Sequence, residues 1–78
     1  MTSTATAVGQ QTFTIVIERC LDVPGYYAYV PGWDGAHSQG ETLDELKANM
    51  LEVIEMLLED GPPELDSEYY GTDVIRVT

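Results

Sequence analysis

At Thr42 the hydrophobic pattern of this chain changes period, and that change limits the folds open to it. Beyond Thr42, Leu43, Leu46, Met50, Val53, Ile54 and Leu57 recur at spacings of three and four, as the buried stripe of an amphipathic helix does. Asp44, Glu45, Lys47, Glu52, Glu55 and Glu59 fall mainly away from that stripe. The stretch "TLDE" at 42–45 reads as a capping box, in which the Thr42 hydroxyl and the Glu45 carboxylate satisfy backbone donors that the first turn leaves without partners. Gly61, Pro62 and Pro63 stop the helix, because glycine takes a left-handed cap and proline cannot continue the ladder. The spacing therefore predicts one helix, running to about residue 60.

Upstream of Thr42 the period is that of strands. "QTFTIVIE" at 11–18 alternates, with Phe13, Ile15 and Ile17 on one face and Thr12, Thr14, Val16 and Glu18 on the other. Asp22 and the Pro24-Gly25 dipeptide mark a turn, and "YYAYV" returns antiparallel until Pro31 ends it. "PGWDGA" is a second turn or loop and "AHSQGE" a short third strand. After the helix and a linker, "YYGTDVIRVT" closes with an apolar run suited to a last strand. The predicted order is β-β-β-α-β, an α+β fold with a single antiparallel-rich sheet and one helix packed on one face.

Alternate side chains of a strand face opposite ways, so Tyr27 and Tyr29 share one face and Ala28 and Val30 the other. A small residue at Ala28 lets the helix come close, which puts the tyrosines on the open face; the strand rotated the other way would bury them. Exposed aromatics are good binding anchors, since they bury a large area at little entropic cost. Tyr27, Tyr29, Trp33, Asp34 and His37 are thus the partner-binding candidates.

Catalysis finds little footing. A two-metal nuclease centre needs converging carboxylates, one of them typically on the central strand, yet the middle of the first strand is Thr14, Ile15 and Val16. The helix acids belong to a solvated face. His37 invites a role as general base or pH sensor, because an unperturbed imidazole titrates near pH ~6.5, but no serine, cysteine or acid stands at a diagnostic spacing from it, and a polar loop contact beside Asp34 and Ser38 is the simpler role. The glycines match neither a P-loop nor a dinucleotide fingerprint, and no zinc or haem motif is present. No catalytic, cofactor-binding or metal residue is assigned, and no enzyme is expected.

A chain of 78 residues buries only ~60% of the surface its unfolded form exposes, and its one cysteine, Cys20, rules out an internal disulfide. Self-association or a protein partner is the expected reinforcement, with a homodimer or higher homo-oligomer as the default. The 14 acidic residues outnumber Arg19, Lys47 and Arg76 to give a net charge of -11, which repels nucleic acid and anionic lipid and speeds encounter with a basic partner. No apolar run approaches the roughly 20 residues of a membrane span, and "MTSTATAVGQQ" lacks the features of a signal peptide. The expectation is a cytoplasmic protein with a disordered or fraying tail at 1–10 and a single domain over 11–78.

"YVP" at 29–31, "SQG" at 38–40 and "ETLDEL" at 41–46, in that order and before a long acidic amphipathic helix, resemble the N-terminal domain of the HicB-type antitoxin family, including its small stand-alone members. The resemblance spans 12–60 and, more weakly, the last strand. It implies a partial ribonuclease-H-like fold and the antitoxin half of a type II toxin-antitoxin pair. The implied partner is a small basic HicA-type toxin of double-stranded-RNA-binding-domain fold that cleaves messenger RNA, neutralised by covering its active surface. Two departures stand out: no C-terminal DNA-binding domain follows the last strand in this sequence, and "GWDGAHS" differs from the loop of many relatives. The alternative is a stand-alone, self-associating module of the same fold with no toxin and no role on DNA.

Overall fold

Pro31 sets the length of the first hairpin. In the computed structural model, which describes residues 11–78, the chain forms β1 (Val16–Arg19), β2 (Tyr26–Tyr29), β3 (His37–Gly40) and the helix α1 (Leu43–Leu58). The sheet order is β1-β2-β3, and both pairs are antiparallel. Val16 lies opposite Tyr29 and Arg19 opposite Tyr26. Continuing that register would set Thr14 opposite Pro31, which has no N–H to give. The ladder therefore begins at Val16, although the alternation starts at Thr12.

The connection from β2 to β3 is built as two successive turns closed by one bond. The Val30 N–H donates to the Ala36 carbonyl at 2.9 Å, the Trp33 N–H to Val30 at 3.2 Å and the Ala36 N–H to Trp33 at 3.1 Å. Gly32 and Gly35 each occupy the third position of a turn with φ of 82° and 89°, a backbone region that a residue with a Cβ avoids.

The capping box forms with one shift. The Glu45 N–H donates to Thr42 Oγ1 at 3.1 Å, while the Glu45 carboxylate accepts from the N–H of Glu41, one residue before the cap, at 2.6 Å. Just upstream, a Cβ built on Gly40 would lie 2.7 Å from the Leu46 nitrogen, so the absence of a side chain there lets α1 start hard against β3. Asn49 Nδ2 donates to the Gln39 carbonyl at 2.8 Å and ties the second turn of α1 to the same strand.

α1 lies over β2 and β3 and buries Leu46, Met50 and Ile54, a row four residues apart, against Ala28, Val30 and Ala36. Phe13, Ile15, Tyr26, Trp33, Leu57 and Leu58 pack around this core. Leu43, expected on the buried stripe, is exposed together with Leu51 and Met56, because α1 reaches the sheet only from Leu46 onward and leans away from β1. Among the described residues, no helix is long and apolar enough to cross a membrane.

The α+β fold with one helix on one face of the sheet is as expected. The closing strand is not: residues 61–78 form neither helix nor strand, so the observed order is β-β-β-α. The Asp66 N–H donates to the Gly32 carbonyl at 3.1 Å, and beyond this tether every residue from 69 to 78 is exposed. A strand needs a neighbouring edge for its backbone as well as an alternating sequence, and this segment leaves the body of its own chain without finding one. The tail at 1–10 lies outside the described residues.

Candidate interaction face

The register arranges six side chains in two rows on the sheet face that α1 does not cover. Val16, Tyr29 and His37 are cross-strand neighbours in one row, and Glu18, Tyr27 and Gln39 in the next. Ala28 points the other way and is fully buried under the helix, which fixes the rotation of β2 and puts Tyr27 and Tyr29 on the open face.

The two tyrosine rings stack with centroids 6.3 Å apart and planes inclined by 27°, a separation within the range in which aromatic pairs attract. Tyr27 is 38% exposed. Its hydroxyl donates to Glu18 Oε1 at 2.5 Å. This hydrogen bond, followed by the repulsion between the carboxylate and a phenolate, raises the Tyr27 pKa above its ordinary 10.0. Tyr27 thus keeps its proton and serves as a donor, and Glu18 itself is exposed on β1, the edge strand.

The five candidate residues do not form one cluster. Tyr27, Tyr29 and His37 share the open face, with His37 exposed directly across from Tyr29. Trp33 is half-buried and packs on Phe13 at a centroid distance of 5.3 Å, so it closes the end of the core. Asp34 is exposed at the tip of the β2–β3 loop. Val16, Glu18 and Gln39 complete the face and were not among the candidates; their place follows from pairing, since each strand reveals its two faces but not which residue of the neighbour lies alongside.

A stacked aromatic pair edged by a carboxylate suits a cationic side chain, above all a guanidinium that can lie on a ring and bond an acid at once. Among the described residues, no three His, Cys, Asp or Glu side chains gather where a metal ion could be held.

A UPF0150 protein of Synechocystis is 42% identical to this chain over 71 residues, which make up 90% of the chain and 100% of the relative. The chain belongs to the UPF0150 family. A UPF0150 protein of Archaeoglobus fulgidus is 42% identical over 66 residues, covering 83% of this chain and 93% of its own, and one of Thermotoga maritima is 32% identical over 69 residues, covering 87% and 92%. Matches of this extent cannot omit the sheet or the helix, so the UPF0150 relatives share the stretch that builds the open face. No protein-family model matches the chain, and no solved structure does.

Proposed function

We propose that this protein is a non-enzymatic, antitoxin-like binding protein that uses its open sheet face to dock on and occlude a small basic toxin that cleaves messenger RNA. The observation that carries the reading is the Tyr27–Tyr29 stack with Glu18 bonded at its edge, on a face the helix leaves free. Arginine or lysine side chains of a basic partner would lie on the rings and meet Glu18, and His37 would border the contact. The net charge of -11 would draw such a partner in and speed the encounter. The likeness of "YVP", "SQG" and "ETLDEL" to HicB-type antitoxins supplies the class of partner, a HicA-type toxin.

The test is whether an adjacent reading frame encodes a small basic chain and, where it does, co-expression of the two. The two chains should co-purify, and this protein should restore growth that the neighbour suppresses. Replacing Tyr27 and Tyr29 by alanine should weaken the complex about tenfold or more, the range expected for buried aromatic anchors. Glu18→Lys should slow association and flatten its dependence on salt. Absence of both complex and rescue sinks the reading, and so does cleavage of RNA by the purified protein in magnesium that is lost in a Glu18→Ala or His37→Ala variant.

A further inference from the structure

The flank of α1 nearest β1 is left uncovered. The helix packs on β2 and β3, and Ile17, which shares the helix side of the sheet with the fully buried Ala28 opposite it, is 40% exposed. Between the stretch leading into β1 and the helix lies a groove of about 620 Å³, lined chiefly by Phe13, Ile15, Met50, Leu51, Ile54 and Leu58. Leu51, on its helix side, is 57% exposed. The last segment of the same chain stops short of this groove. Leu65, Glu68 and Tyr69 line an adjoining pocket with Thr12, Phe13 and Thr14, but among the described residues none beyond Leu58 lines the groove itself, and Tyr70 is fully exposed.

The charges bordering the groove select what fills it. Lys47, Leu51 and Glu55 all lie along it and follow one another at intervals of four residues, about one turn apart on a single flank of the helix. Lys47 is the only basic residue of α1 and the only lysine in the chain. Two turns separate it from Glu55, a rise of ~12 Å, too far for the two to pair within one helix. The order basic, apolar, acidic is complementary to itself on reversal. A second helix laid antiparallel sets lysine against glutamate at both ends and leucine against leucine in the middle. The last segment of the chain cannot match that pattern, since Asp73 and Arg76 stand three residues apart and face opposite sides of an extended strand.

We propose that two copies of this chain pair through α1, antiparallel about a two-fold axis at Leu51, with Lys47 of each copy against Glu55 of the other. Each Leu51 then enters the groove of the other copy, and the pairing covers apolar surface that a thin core with no disulfide leaves open. Glu18, Tyr27, Tyr29 and His37 take no part in this contact. They lie on the opposite face of the sheet, so each copy keeps its tyrosine face free, and the pairing and the antitoxin reading stand or fall separately.

Light scattering on the purified protein at micromolar concentration should give twice the 8.6 kDa of one chain. Lys47→Glu and Glu55→Lys, both at exposed positions, each turn two attractive pairs into two repulsive ones and should weaken the dimer about tenfold or more. Mixed in equal amounts, the two variants should form a heterodimer, because one copy then carries only glutamate at these positions and the other only lysine. Lys47→Glu combined with Glu55→Lys in one chain should restore the homodimer at an unchanged net charge. Ile75→Asp with Val77→Asp should leave the mass as it is, and circular dichroism keeps unfolding apart from dissociation. A monomeric wild type, single reversals that stay fully dimeric, or a mixture of folded variants that stays monomeric each overturns the pairing. So does a mass halved by the substitutions at Ile75 and Val77, which would give the contact to the last segment instead.

Discussion

The hydroxyl of Tyr27 donates to Glu18 across the β1–β2 pair at 2.5 Å, joining the second strand to the edge of the open face. The bond holds Tyr27 in its protonated form, so its pKa stands above 10.0 in the folded chain. A group whose pKa rises on folding lends stability that is fully present below its unfolded value and is lost as pH climbs through the folded one. The link between β1 and β2 should consequently weaken only in alkaline solution, above pH 10. An NMR titration of the ring carbon that bears the hydroxyl should show Tyr27 ionising above its ordinary value of 10.0. Glu18→Gln should bring Tyr27 back toward its ordinary value; a Tyr27 midpoint that is the same in the native chain and in Glu18→Gln contradicts the coupling.

Gly40 is a position where close approach, and not φ, excludes a side chain. A Cβ there would meet Leu46 N at 2.7 Å and Leu46 Cα at 3.0 Å, both backbone atoms that cannot swing aside. Gly40→Ala should push the start of α1 off β3, costing about 1–3 kcal/mol as overpacking does. Urea unfolding should show a lower midpoint at an unchanged slope. A midpoint that stays put would mean that the helix can tilt away at no cost.

Thr42 and Glu45 satisfy the N–H groups of Glu45 and Glu41. Thr42→Ala removes a cap worth about 1 kcal/mol, which lowers the melting temperature of a domain this size by roughly 4–8 °C. Thr42→Ser should recover most of that loss, because the hydroxyl remains. If serine and alanine destabilise equally, the Thr42 methyl and not its oxygen matters.

What could be read from the sequence was whatever is decided within a few residues. The cap at Thr42, the helix that follows and the stop at Pro31 are local chemistry, and each stands where its residues put it. The sequence leaves two rotations of β2 open; the small Ala28 favours the tyrosines on the open face, and its burial under the helix decides it. Trp33 shows the limit: its partner, Phe13, is distant in sequence, and nothing in "PGWDGA" points to that contact. Glu18 was missed for the same reason, because its bond to Tyr27 exists only once the hairpin register is set. The alternation in "DVIRV" shows that the segment suits a strand, but not that an edge of its own chain will receive it.

Gly32 and Gly35 offer a controlled comparison within one loop. Their φ values, 82° and 89°, are nearly the same, so alanine at either should suffer the same backbone strain of about 1–2 kcal/mol. Their surroundings differ. A Cβ on Gly35 meets nothing within 4 Å, whereas one on Gly32 would sit 2.0 Å from the Ser67 carbonyl oxygen and 2.7 Å from its nitrogen. Gly32→Ala must therefore displace the segment around Ser67 and break the bond from Asp66, while Gly35→Ala leaves both in place. Hydrogen exchange should show the Asp66 amide losing protection in Gly32→Ala and keeping it in Gly35→Ala, even where the two variants melt at similar temperatures. Equal loss of protection at Asp66 in both would mean that the tether depends on the shape of the whole loop and not on the missing side chain at Gly32.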